Sequence, residues 1–228
     1  MNSNHITLAV QPMVNPCTKQ IEGGEVLVRW VGHDGVIRTP AQKDSIDWSY
    51  VDKTVIRIVE ENAKTYQYRF KKLFLNVSEA TLANDDAFDF WLATAKRIIN
   101  QAIKIVVEIT EQIEDETLKN RYQALKECGL HLALDDYATH HSNLKRLEEF
   151  SWDYVKFEAN NSKPFENLRG IKYCKKKNIG IISEKVEATA GVWLSKKMGV
   201  ELVQGFVTGK PEIMLNYNCE YALKGVNE

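Results

Sequence analysis

Residues 105–136 read IVVEITEQIEDETLKNRYQALKECGLHLALDD, and they decide the fold. Ile105–Ile109 is a short run with apolar residues on both faces, as a strand covered on both sides requires. Asp115–Cys128 follows with helix-like amphipathic spacing, and Cys128-Gly129 supplies a stop, with the glycine free to take a left-handed cap. His131–Leu134 is a second apolar run. Strand, helix and strand in so short a span imply a right-handed crossover between parallel strands.

The same alternation extends outward from this unit. Further strands are expected at Leu73–Val77, Tyr154–Phe157, Ile179–Ser183 and Leu202–Phe206. Helical segments are expected at Tyr50–Gln67, Asp86–Gln101, Ser142–Phe150, Asn167–Lys177 and Glu187–Lys197. Near the N-terminus, Leu8–Val14 and Glu25–Trp30 are separated only by Asn15–Gly24, too short for a crossover helix, so these two strands pair antiparallel. The sum is an α/β fold, a modified TIM (β/α)8 barrel whose first strand runs against the rest. An open doubly wound sheet is the competing architecture, and the short first connection argues against it.

Bulk properties narrow the function. A chain of 228 residues suits a trimmed barrel, since such folds need roughly 200–250 residues. No stretch reads as a linker, so one domain over 1–228 is expected. With 30 basic and 31 acidic residues, the net charge of −1 argues against a nucleic-acid polymer or a membrane surface held by bulk electrostatics. Cys17, Cys128, Cys174 and Cys219 form no CxxC pair, which disfavours a zinc site or disulfide framework. The opening residues show no signal peptide, and no apolar run approaches the roughly 20 residues of a membrane span. A cytoplasmic protein is expected.

Nearly every expected strand ends in a polar residue: Asn76, Glu108, Asp135-Asp136, Lys156 then Glu158, Glu184, and Gln204. Glu25 joins them from the second strand. Any one of these marks no more than a strand meeting solvent, but in a barrel all of them converge on the C-terminal mouth, where barrel enzymes carry their chemistry. Carboxylates gathered there repel one another unless cations lie between them. Such hard oxygen donors suit Mg²⁺ or Mn²⁺. Of the other conspicuous features, Lys175–Lys177 reads as a solvated helix end, Trp193 and Leu194 as core, and His140-His141 as a polar loop rather than a metal site.

The chain resembles the EAL-domain family from about Leu8 to about Met214. Gln11-Pro12 is similar to the family's opening QP, Glu25-Val26-Leu27 to its Glu-Ala-Leu, and Asn76-Val77-Ser78 to its NxS. Glu108-Ile109-Thr110-Glu111 resembles E-(I/L)-T-E, Asp135-Asp136-Tyr137 resembles DDF, and Lys156-Phe157-Glu158 sits at KID. Glu184-Lys185-Val186-Glu187 stands at EGVE, and Gln204–Pro211 resembles QGxxxGxP. The resemblance implies a phosphodiesterase opening cyclic-di-GMP to linear pGpG with two divalent ions, Mg²⁺ or Mn²⁺. Glu25, Asn76, Glu108 and Asp135 would hold one ion. Asp135 and Asp136 would hold the second, with Glu158 and Glu184 nearby. Lys156, Glu184 and Asp136 would serve catalysis, Lys156 by orienting the attacking water or sharing its proton. Arg29 would grip a phosphate, Gln11 a guanine edge, and Gln204 would support the site. Glu111 would anchor the loop after Asp136. A homodimer is also implied.

Departures from the family pattern motivate a second reading, a weak or inactive module that binds cyclic-di-GMP or a regulatory protein partner. Val26 replaces an alanine. Glu158 stands for an aspartate, and the extra methylene shifts a carboxylate by an amount that matters in catalysis. Ala138 and His140 replace glycines, which strains the loop if it needs positive φ there. Lys185 replaces a glycine and adds a charge at the mouth.

Overall fold

The computed structural model describes residues 5–40, 46–139, 141–159 and 163–214. His140, Cys219 and the rest of 215–228 lie outside the described residues. The chain runs β1 (His5–Val14), β2 (Ile21–Val31), β3 (Ile37–Arg38), α1 (Trp48–Glu61), α2 (Ala63–Arg69), β4 (Lys72–Asn76), α3 (Glu79–Leu82), α4 (Asp85–Ile99) and β5 (Lys104–Ile109). It continues with α5 (Asp115–Glu127), β6 (His131–Leu134), α6 (Leu144–Glu149), β7 (Tyr154–Glu158), α7 (Pro164–Lys177), β8 (Gly180–Glu184), α8 (Thr189–Lys197), β9 (Leu202–Val203) and β10 (Glu212–Ile213).

Strands β2, β4, β5, β6, β7, β8 and β9 pair in parallel in that order. β1 closes the ring by pairing antiparallel with both β2 and β9, so the sheet is an eight-stranded barrel with its first strand reversed. The short strands β3 and β10 extend the sheet outside the ring. Among the described residues, no helix is long and apolar enough to cross a membrane.

Two cores follow from the period-2 alternation of strand side chains. Met13, Phe74, Val106, Ala133, Ile182 and Leu202 face inward and fill the barrel's interior. Their strand neighbours, including Leu73, Leu75, Ile105, Val107, Leu132 and Val155, face the helices. The interior tolerates no side chain at position 23: a Cβ on Gly23 would lie 2.9 Å from the Phe74 ring. Several helix ends follow their capping chemistry. Asp47 and Asn84 accept from Tyr50 N and Ala87 N, and Asn178 takes the left-handed conformation after α7 at φ +56°. Lys175–Lys177 are exposed in the last turn of α7, where positive charge complements the helix dipole.

The expected helix over Tyr50–Gln67 is two helices. Asn62 interrupts it by turning its side-chain Nδ2 onto Ile58 O at 2.8 Å, a local bond that competes with helical geometry. The last barrel strand stops at Val203 rather than reaching Phe206, because the backbone turns at once, with Thr208 N and Gly209 N both donating to Gly205 O. Trp193 and Leu194 are a correction: they are 62% and 53% exposed. Helix α8 instead meets the barrel through Gly191, where a Cβ would lie 2.8 Å from Val186, and through buried Ser195.

Arg146 on α6 is fully buried and knits three segments together. Its Nε donates to Asp115 Oδ1 at 2.6 Å, its Nη1 to Thr110 O at 3.2 Å and its Nη2 to Ile113 O. Replacing Arg146 with leucine strands Asp115 and two carbonyls. Asp115 is 30% exposed and regains some water. The expected loss in urea-denaturation stability is about 2–3 kcal/mol.

Candidate active site

Period 2 also places the polar mouth. Asn76, Glu108, Asp135, Glu184 and Gln204 each lie two residues beyond an inward apolar residue, namely Phe74, Val106, Ala133, Ile182 and Leu202. They therefore point into the barrel one layer higher. Lys156 does the same above Tyr154, and Glu25 above Gly23. Gln11, on the reversed strand, pairs directly with Glu25.

Lys156 is 1% exposed and occupies the middle of this ring. Its Nζ lies 2.8 Å from Glu108 Oε1, 2.9 Å from Asp135 Oδ1, 2.8 Å from Glu184 Oε1 and 3.7 Å from Glu25 Oε2. Asn76 Nδ2 donates to Glu25 Oε1 at 3.2 Å and Glu108 Oε2 at 3.0 Å. Gln204 Nε2 donates to Glu25 Oε2 at 2.5 Å and to Gln11 Oε1 at 3.1 Å, while Gln11 Nε2 donates to Gly209 O at 3.0 Å. Thus eight of the positions expected at the mouth form one connected network there.

Burial and mutual charge set the protonation of this network. Burial opposes the Lys156 ammonium, but Asp135, Glu108, Glu184 and Glu25 together outweigh it and hold its pKa well above the ordinary range. Burial, joined by the Glu25 charge, raises Glu108 well above a normal carboxyl. Burial likewise pushes Glu184 up to about 8 against the pull of Lys156. Burial also works against ionised Glu25, yet Lys156 and the hydrogen bonds from Gln204 and Asn76 prevail and lower its pKa. Asp136, further out, is raised by burial and by neighbouring Asp135.

The outer rim is arranged differently. Asp136 and Glu158 turn toward Lys185, whose Nζ is 3.7 Å from Asp136 Oδ1 and 3.4 Å from Glu158 Oε1. Glu158 is not drawn onto Lys156. Arg29 is half-buried in a neighbouring cavity, its Nη1 donating to Val28 O at 2.8 Å. In the loop after β6, Ala138 has φ +74°, so this position does require the left-handed conformation that glycine adopts freely. Its backbone is held by Ser142 O, which accepts from Ala138 N at 2.7 Å, and by Lys163 Nζ, which donates to Ala138 O at 2.8 Å. Glu111 is half-buried and makes no hydrogen bond among the described residues. The segment Thr110–Ile113 is fastened instead by Arg146. His141 is exposed.

Asp52 was not expected at the site. It is 6% exposed on α1, and its Oδ2 accepts from Ser78 N at 2.8 Å, Ser78 Oγ at 2.6 Å and Thr81 Oγ1 at 2.6 Å. It thereby braces the turn immediately after Asn76. The signal available in the sequence is a carboxylate in line with Ile56 and Val59, on the buried face of an amphipathic helix.

A family model described as the EAL domain matches residues 1–211. The chain belongs to the EAL-domain family. This EAL domain is 24% identical, over 92% of its length, to PdeI of Escherichia coli K12, named a probable cyclic di-GMP phosphodiesterase. It is 25% identical, also over 92%, to PdeG of the same organism, which carries the same description. The chain spans 29% and 45% of those two proteins, less than half the length of either. Among solved structures, it superposes with a TM-score of 0.75 on Klebsiella pneumoniae BlrP1 in a manganese and cyclic-di-GMP complex, at 22% identity, covering 91% of this chain and 56% of that one. It superposes at 0.74 on the FimX EAL domain of Pseudomonas aeruginosa bound to cyclic-di-GMP, at 19% identity and 93% coverage of both chains. Those two likenesses establish the fold.

The donor chemistry of the mouth fits divalent ions. Asp135, Asp136 and Glu184 each offer a carboxylate oxygen within 4.8 Å of the others. Glu108 Oε1 is buried against the Lys156 ammonium at 2.8 Å.

Two expectations follow from the charges. A carboxyl whose folded pKa is raised gives stability that is full below its unfolded value, about 4.3, and lost as pH rises through the folded value. With Glu184 near 8, the chelated EAL domain melts at a lower temperature at pH 8.5 than at pH 6, and Mg²⁺ restores more stability at the higher pH. Lys156→Met leaves Glu25, Glu108, Asp135 and Glu184 facing one another without a cation. Its stability in chelator at pH 7.5, measured by urea denaturation, is expected to fall by about 3–5 kcal/mol.

Proposed function

We propose that this EAL domain, taken as one domain over 1–228, hydrolyses one phosphodiester bond of cyclic-di-GMP to give linear pGpG, in a reaction dependent on Mg²⁺ or Mn²⁺. The observation that carries the reading is the convergence of Glu25, Glu108, Asp135 and Glu184 on Lys156 at the open end of the barrel, with Asn76 bridging Glu25 and Glu108. Two cavities adjoin this cluster. One, of about 300 Å³, is lined by Gln11, Glu25, Asp135 and Lys156. The other, of about 480 Å³, is lined by Arg29, Trp48 and Asn76. Asn76 is hydrogen-bonded to Glu25, so the carboxylates lie between two compartments, an arrangement suited to a ligand with two bases.

Glu25, Asn76, Glu108 and Asp135 would hold one divalent ion, and Asp135, Asp136 and Glu184 a second. Bound there, the ions would activate a water and stabilise charge on the attacking and leaving oxygens of an in-line displacement. The chain's own groups do the rest. Lys156, whose ammonium the surrounding carboxylates stabilise, would orient water through its Nζ. Glu184, held at 2.8 Å from Lys156 Nζ, would keep that ammonium and the second ion in register. Arg29 Nη1 donates to Val28 O, and its planar fork suits a phosphate oxygen. Gln11 is held by Gly209 and Gln204 and still has one N–H and an acceptor lone pair for a guanine edge.

A second reading, nucleotide or protein binding with little turnover, is favoured by the Lys185 contacts to Asp136 and Glu158. Homodimer formation belongs to the first reading as an expectation from the family.

The test is incubation of purified protein with cyclic-di-GMP and Mn²⁺, following pGpG by chromatography. Product is expected, with a drop of at least a hundredfold in Glu25→Ala and complete loss in chelator. Tight nucleotide binding without product would establish the second reading.

A further inference from the structure

Lys185 has a backbone that a lysine rarely adopts, with φ at +55°. Across the mouth Asp136 is also left-handed, with φ at +43°. Strain of this kind persists only where the surrounding structure enforces it, and it concentrates at functional sites. Here the two strained residues set opposite charges against each other.

Among the described residues, Lys156 and Lys185 are the positive charges lining the mouth cavity. Lys156 neutralises the inner side, in contact with Glu108, Asp135 and Glu184. Lys185 faces the outer carboxylates, Asp136 and Glu158. Asp136 belongs to both arrangements, since one of its oxygens lies within 4.8 Å of ligand atoms on Asp135 and Glu184. A cation arriving at those three residues meets Lys156 engaged with Asp135 and Glu184, and Lys185 engaged with Asp136.

We propose that Lys185 is a resident counter-ion for the outer half of the mouth, competing with a divalent cation for Asp136 and Glu158 and so weakening one of two ion positions. The proposal rests on the reading of the mouth as a two-ion site. Lys185 is tethered, so it is always present at high local concentration. Its side chain is 56% exposed, so it swings aside into water at modest cost. Competition, rather than a permanent block, is the consequence. The same contact withdraws Glu158 from ion binding.

The experiment is a Mn²⁺ titration of the nucleotide-free full chain, read by calorimetry and by the electron paramagnetic resonance of free and bound Mn²⁺. The parent is compared with Lys185→Met, which removes the charge and keeps the strained backbone, and with Lys185→Gly, which suits the positive φ. In both variants the weaker Mn²⁺ dissociation constant is expected to fall at least tenfold, with the tighter one unchanged within twofold. Weaker-site constants equal in all three proteins overturn the proposal while leaving the two-ion reading intact. A gain confined to Lys185→Gly also overturns it, because the cause would then be backbone strain and not charge. Failure of all three proteins to bind Mn²⁺ removes the two-ion reading and this proposal together.

Discussion

Four carboxylates converge on the open end of the barrel, and without Lys156 each would raise the energy of ionising the others. The ammonium is buried, so its contacts to Glu108, Asp135 and Glu184 act with little screening by water. That one charge cannot satisfy four. Burial, with the neighbouring carboxylates, raises the pKa values of Glu108 and Glu184, while Lys156 and two amides lower that of Glu25. An incompletely compensated buried charge cluster is costly for folding but suited to binding cations, because any ion that enters relieves a repulsion already present.

The barrel supports this cost through a division of labour along each strand. The inward residue two positions earlier is apolar in β4, β5, β6, β8 and β9, and together with Met13 of β1 these residues fill the interior. Large Phe74 lies against Gly23, and small Ala133 makes room elsewhere in the layer. Each polar residue is thus carried on a strand whose position is set by close packing about two residues below it. Asp52 adds a brace from outside the ring, fixing Ser78 and so the exit of the Asn76 strand.

Much of this was legible in the sequence because the same period-2 rule governs both layers. Doubly apolar runs such as Ile105–Val107 marked the strands, and the polar residue ending each run marked the mouth. The antiparallel first pair followed from the shortness of Asn15–Gly24. What stayed hidden depended on particular side-chain contacts that the hydrophobic pattern does not register. The break at Asn62 turns on a side chain capping its own helix. The exposure of Trp193 and Leu194 turns on Gly191 and Ser195 forming the packed face of α8, a choice that hydrophobicity alone reverses. Arg146 looks like any surface arginine until Thr110, Ile113 and Asp115 are brought round it.

The positive-φ residues separate structural necessity from site chemistry. Asn178 and Gly129 take that conformation at helix ends, where the last turn calls for it. Asp136, Ala138 and Lys185 take it at the mouth, in the loops that follow β6 and β8, where no helix terminus demands it. Alanine at 138 gains nothing from the conformation that glycine would not provide more cheaply, so its strain is borne by the bonds to Ser142 and Lys163. Lys185 and Asp136 are different, because their strained backbones bring side chains of opposite charge together across the rim. A glycine at 185 would relax the backbone and leave Asp136 and Glu158 without a cation. The departures at 138 and 185 therefore act on separate quantities: the Ala138 loop acts on local stability, and Lys185 acts on the charge that an incoming ion or phosphate encounters.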